Sequence, residues 1–151
     1  MSGGVSSENF CLKWNEFKSN VSTAFRELRD DKDFFDVTLA CEGRQVEAHK
    51  VILSACSQFF RSVLKRNPHS HPLLYLKGIK YEDVLAILNF MYNGEVNIAQ
   101  DGLNSFLAVG EELQVKGLTP EDGKTPSSTP EQSRPQKLQI RPLPVPPQVC
   151  Y

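Results

Sequence analysis

The chain has 151 residues, 40% of them apolar, enough for one domain with a buried core. Seventeen basic residues face eighteen acidic ones, for a formal net charge of −1. A phosphate-binding surface shows a marked basic excess, so direct contact with nucleic acid is not expected.

The four cysteines, Cys11, Cys41, Cys56 and Cys150, contain no C-x-x-C pair. Their spacing gives neither a disulfide frame nor a zinc site, and reduced thiols are expected. Residues 1–7 are small and polar, lacking the basic and apolar regions of a signal peptide. No later stretch approaches the roughly 18 apolar residues of a membrane span, so a soluble, unsecreted protein is expected.

Phe10, Leu12 and Trp14 alternate with polar or small neighbours, the period of a short half-buried strand. From Trp14 onward the period becomes helical: Trp14, Phe17, Val21, Ala24 and Leu28 recur at 3-4-3-4 spacing, and Phe25 widens the stripe. The β-rich run Phe34-Phe35-Asp36-Val37-Thr38-Leu39-Ala40-Cys41, the turn pair Glu42-Gly43 and the alternating Arg44-Gln45-Val46-Glu47-Ala48 predict a hairpin.

Two helices follow, over residues 49–55 and 57–65, with Val51, Ile52, Phe59, Phe60, Val63 and Leu64 expected inside; Pro68 and Pro72 close them. After the apolar run Leu73-Leu74-Tyr75-Leu76 comes a helix on which Val84, Leu85, Leu88, Met91 and Tyr92 share a face. Asn93-Gly94 stops it. A brief strand through Val96 and Ile98 leads to a last helix carrying Leu103, Phe106, Leu107, Gly110 and Leu113, ended by Gly117.

Composition changes after Leu118, because eight of the ten prolines lie between Pro120 and Pro147. Such a segment buries too little apolar surface to offset its ordering entropy. The expected organisation is a disordered N-terminus over 1–7, one folded domain over 8–119 and a proline-rich disordered tail over 120–151. The fold class is α/β (α+β), helix-dominated, with a small sheet and an added N-terminal strand and helix.

In this order, the segments resemble the BTB/POZ domain over roughly residues 8–119. The resemblance is carried by Asp36-Val37-Thr38-Leu39, Ala48-His49-Lys50-Val51-Ile52-Leu53-Ser54-Ala55-Cys56-Ser57, Phe59-Phe60, Phe90-Met91-Tyr92-Asn93-Gly94-Glu95-Val96 and Leu113-Gln114-Val115-Lys116-Gly117-Leu118. The opening Phe10-Cys11-Leu12-Lys13-Trp14-Asn15 resembles the insect-type subgroup of tramtrack, pipsqueak and longitudinals lacking. The resemblance implies a nuclear transcription or chromatin regulator whose leading strand and first helix pack across a two-fold dimer interface. It also implies assemblies larger than dimers, and DNA-binding motifs beyond a flexible linker.

Self-association is also expected from the residues, because a leading strand and helix expose more apolar surface than a compact monomer readily covers, although periodicity alone equally allows the helix to fold back on its own core. The candidate dimer interface is Phe10, Leu12, Trp14, Phe17, Val21 and Phe25, with Phe10 and Leu12 adding a strand to the partner's sheet. Related BTB proteins and co-regulators are the further partners that the resemblance implies. Asp36 lies in an apolar context and needs a compensating group, for which Lys50 is the expected partner. The resemblance places Asp36, His49 and Lys50 in a charged pocket near the dimer interface, linked to recruitment of partners; the alternative is a structural ion pair that fixes the fold.

Catalysis is not expected. Asp36, His49 and Ser54 do not form a hydrolase triad, since Ser54 sits in an apolar helical run without a G-x-S-x-G turn. His49 reads as a satisfied histidine at a helix start, and His69 and His71 have no ligand set nearby, so no metal or cofactor is expected. Cys56 reads as a packing thiol. In the tail, Arg141, Pro144 and Pro147 fit R-x-x-P-x-x-P, an SH3-type ligand pattern against which a passive spacer must be weighed. The rival function is a cullin-3 ubiquitin-ligase adaptor. Tyr75-Leu76-Lys77-Gly78-Ile79 lacks the apolar-x-Glu motif such adaptors often carry.

Overall fold

A computed structural model describes residues 8–119. Helix α1 (Phe17–Asp30) precedes a hairpin of β1 (Val37–Cys41) and β2 (Arg44–Ala48). The short helices α2 (Lys50–Cys56) and α3 (Gln58–Arg66) lead to β3 (Leu73–Tyr75), and α4 (Tyr81–Asn93) and α5 (Leu103–Glu112) complete the chain of elements.

The sheet has the order β2-β1-β3. Strands β1 and β2 pair antiparallel from Val37↔Ala48 to Cys41↔Arg44. Glu42 and Gly43 both take positive φ, at 50° and 73°, which matches the twist of a tight two-residue hairpin. Strand β3 pairs parallel to β1, with Leu39 opposite Leu74, and α2 and α3 form the crossover that parallel pairing requires. Period-two alternation sends Val37, Leu39, Cys41 and Ala48 into the core, where they meet Leu53, Phe60, Val84, Ile87 and Leu88.

Buried Ser57 ties the middle of the domain to its end. Its hydroxyl accepts the Phe60 amide at 3.1 Å, capping α3, and donates to the Leu113 carbonyl at 2.5 Å. Around it the Gln58 amide donates to Gln114 O and the Lys116 amide to Cys56 O.

Five local expectations are corrected. Residues 10–14 form no strand, and neither do Val96 and Ile98; each segment has the alternation of a strand but no neighbouring strand to receive its amides and carbonyls. Helix α1 begins at Phe17, not Trp14, because Glu16 takes a left-handed conformation with φ 61°. Phe34 likewise has φ 65°, outside the range of a strand, so β1 starts at Val37. Val51 is 59% exposed: it is two positions from Leu53, the buried residue of α2, and two positions turn a helix through roughly 200°, onto its opposite face.

Candidate protein-interaction site

The N-terminal approach to α1 is an apolar surface turned outward. Phe10 is 79% exposed, Leu12 91%, Trp14 60% and Phe17 52%, and the Trp14 and Phe17 rings stack edge to face with centroids 5.2 Å apart. No residue of α1 is buried. Val21 and Phe25 are half-buried, since α1 packs on α4. The six candidate interface residues therefore divide into four that project into solvent and two that lean on their own domain. Each large apolar side chain left in water forgoes roughly 1.5–3 kcal/mol of burial, so a partner has much to gain by covering the row.

Asp36, His49 and Lys50 come together where β2 enters α2, although not as an ion pair of side chains. The Asp36 carboxylate accepts the Lys50 backbone amide at 2.7 Å, an acidic group at the positive end of a short helix. The Lys50 ammonium instead donates to the His69 carbonyl. The helix start has taken the carboxylate, and the lysine stem runs to the 67–72 loop. Among the described residues the nearest approach of a carboxylate to a basic side chain is Glu47 to His71 Nε2, at 3.9 Å, an ion pair only when the imidazole carries a second proton.

His49 is buried and fully engaged. Its Nε2 lies 2.7 Å from the Asp33 carbonyl, which can only accept, so the ring proton sits on Nε2. Nδ1 then accepts the Tyr92 hydroxyl at 2.5 Å, and that oxygen accepts the His49 amide at 3.0 Å. The Phe35 ring lies 4.8 Å from the imidazole. On the far side of Tyr92, Arg29 stacks its guanidinium 4.8 Å from the ring centroid and donates to Asn89 Oδ1 at 2.7 Å.

Burial pushes the Tyr92 hydroxyl pKa above its ordinary value, the His49 amide and the Arg29 charge pulling the other way. Burial also raises the Cys56 and Cys41 thiols, opposed at Cys56 by Lys116, so neither is poised as a nucleophile. The sequence reading missed the second role of Tyr92, as anchor for His49. The available signal was a phenol on an apolar helix face, whose hydroxyl must find a partner when buried. Ser57 offered the mark of an N-cap, a serine ahead of an apolar helical run.

Among the described residues no cluster of three or more His, Cys, Asp or Glu side chains is arranged to hold a metal. No helix there is long and apolar enough to cross a membrane. Cys150, the tail over 120–151 with its Arg141, Pro144 and Pro147 pattern, and residues 1–7 lie outside the described residues.

The family model described as "BTB/POZ domain" matches residues 25–124. The chain belongs to the BTB/POZ family. It is 52% identical to "Longitudinals lacking protein-like" of Drosophila melanogaster, over 82% of this chain and 94% of that protein. It is 44% identical to "Protein tramtrack, alpha isoform" of the same species, over 82% of this chain but 15% of that protein. The chain thus spans nearly the whole of one relative and a small part of the other. Both relatives are of the insect type signalled by Phe10-Cys11-Leu12-Lys13-Trp14-Asn15. The structure of the BTB domain of zebrafish PATZ1 superposes with a TM-score of 0.64 at 21% identity, covering 73% of this chain and 91% of that one. The three-stranded sheet with its surrounding helices is accordingly a BTB/POZ fold, an α+β protein-interaction domain.

Proposed function

We propose that this chain is the self-associating interaction module of a nuclear transcription regulator or chromatin-associated protein, without catalytic activity of its own. The supporting observation is the exposed row Phe10, Leu12, Trp14 and Phe17 beside an α1 with no buried residue. A second feature indicates how two copies would join. Two segments with strand alternation, 10–14 and 95–98, lie unpaired in the single chain. Laid against each other across a two-fold axis, they would supply one another's missing hydrogen bonds and cover the aromatic row.

The gain from association is avidity. A second binding event becomes intramolecular once copies are linked, so attached DNA-binding parts would occupy clustered sites more fully without this domain touching DNA. The regulatory and nuclear setting is carried over from the insect-type subgroup. Related BTB domains with the same edge are candidate partners. Half-buried Asp36 and Lys50, tied to the helix start and the neighbouring loop, form the candidate surface for co-regulators, with buried His49 behind them.

Exposed Cys11 lies within the first segment and offers a direct test. With Cys150 replaced by serine, single cysteines are introduced as Glu95→Cys, Asn97→Cys and Ala99→Cys, and the proteins are mildly oxidised. Covalent dimers are expected in at least one variant and should vanish with Cys11→Ser. Purely monomeric protein in all three would contradict the strand exchange.

A further inference from the structure

The edge of the sheet formed by β3 is open. Along its parallel pairing with β1, the Thr38 amide donates to Pro72 O and the Leu76 amide to Ala40 O. Pro72, Leu74 and Leu76 thus turn their backbone groups to β1, and by alternation the amides and carbonyls of Leu73 and Tyr75 point away from the sheet. Among the described residues no strand pairs with that side. The same two residues hold large apolar side chains in solvent, Leu73 being 54% exposed and Tyr75 65%. The other edge strand, β2, carries Arg44 and Glu47 within its length, the kind of charges that guard an edge against further pairing. Strand β3 carries none.

The chain around this edge is charged with one sign. Residues 48–81 contain six lysines and arginines and no aspartate or glutamate, although the whole chain is nearly neutral. Lys77 and Lys80 lie on the loop that leaves β3, while Arg61, Lys65 and Arg66 lie on α3, the helix that leads to it. All five are exposed, and none makes an ion pair among the described residues. On the face that shows Leu73 and Tyr75, the sheet's carboxylate is Glu47 of β2. Strand β1 separates it from β3, which puts it roughly 10 Å in from the open edge.

We propose that the β3 edge docks an extended acidic segment of another protein, which adds a strand beside β3 and sets an apolar side chain against each of Leu73 and Tyr75. Main-chain bonds supply the affinity of such an added strand, and alternate side chains supply its selectivity. The segment therefore carries apolar residues at two alternate positions and a carboxylate two positions from the pair, opposite Lys77 and Lys80. A nucleic-acid backbone would meet the cations but leave the open amides, carbonyls and apolar side chains unused. The β3 strand of a second copy would bring two basic, acid-free surroundings together, where like charges repel. The site uses neither the aromatic row nor segments 10–14 and 95–98, so it stands apart from self-association.

Short randomised peptides displayed on phage, selected on the full 151-residue chain, test this. The selected sequences should share two apolar residues at alternate positions with Asp or Glu two positions from the pair. The most enriched of them, made synthetically and followed by fluorescence anisotropy, should lose about tenfold in affinity for Lys77→Glu/Lys80→Glu and for Tyr75→Ser. Circular dichroism should be unchanged in both variants, since all three side chains are exposed. Methylating alternate backbone nitrogens of the peptide should abolish binding in one of the two registers and spare it in the other, because only one side of an added strand bonds to β3. Selection of no common pattern, or of basic peptides, would overturn the proposal. So would binding indifferent to the two lysines or to methylation in both registers. A fall in the solution mass of the chain on Leu73→Ser/Tyr75→Ser would also overturn it, by assigning the edge to a second copy. Binding of a short DNA duplex through Lys77 and Lys80, with no peptide selected, would assign the surface to nucleic acid instead.

Discussion

Tyr92 holds the entry to α2 through a single oxygen that serves two groups of His49 while the ring carries Arg29. Tyr92→Phe would keep the packing and strand a buried amide and a ring nitrogen, for an expected loss of about 1–3 kcal/mol in urea denaturation. A second consequence concerns alkali. Burial raises the pKa values of Tyr92, Cys56 and Cys41, so the folded chain keeps protons that the unfolded chain releases. The associated stability is fully present below the ordinary thiol value of 9.0 and is lost as the pH rises through the higher folded values. A denaturation midpoint that falls between about pH 8 and about pH 10.5, and falls less in Cys56→Ala, is expected. His49 was legible in sequence as a satisfied histidine at a helix start. The destination of Lys50 was not, because a carboxylate that caps a backbone amide leaves no trace in charge spacing.

Helices and the hairpin followed from periodicity because their hydrogen bonds close within the element or with the next one in sequence. The exceptions are informative. Alternation at 10–14 and 95–98 describes side chains that suit a strand, but a strand also needs a neighbour, and in one copy neither has one. Glu16 and Phe34 turn the backbone left-handed without the Gly or Asn that usually announces it. Close approach between elements was equally hidden. Gly110 was placed on the inner face of the last helix, but its reason is specific: an added Cβ would lie 2.4 Å from Leu118 Cδ1. Gly110→Ala should therefore cost about 1–3 kcal/mol by displacing Leu118. The double variant Gly110→Ala/Leu118→Ala should lose less than the sum of the two single losses in a double-mutant cycle.

For the whole molecule, the outward-facing aromatic row points toward another protein surface. The BTB/POZ fold was legible from several motifs in their order, while the pairing of copies rests on what one copy leaves uncovered. The most direct measurement is solution mass by light scattering after size-exclusion chromatography, on the full chain and on Phe10→Ser/Leu12→Ser/Trp14→Ser. A dimer or larger species is expected for the unaltered chain. The variant should give a smaller species with unchanged circular dichroism, since all three side chains stand mostly in solvent. A folded monomer for the unaltered chain across a wide concentration range, or a variant whose mass is unchanged, would contradict self-association through the N-terminal row.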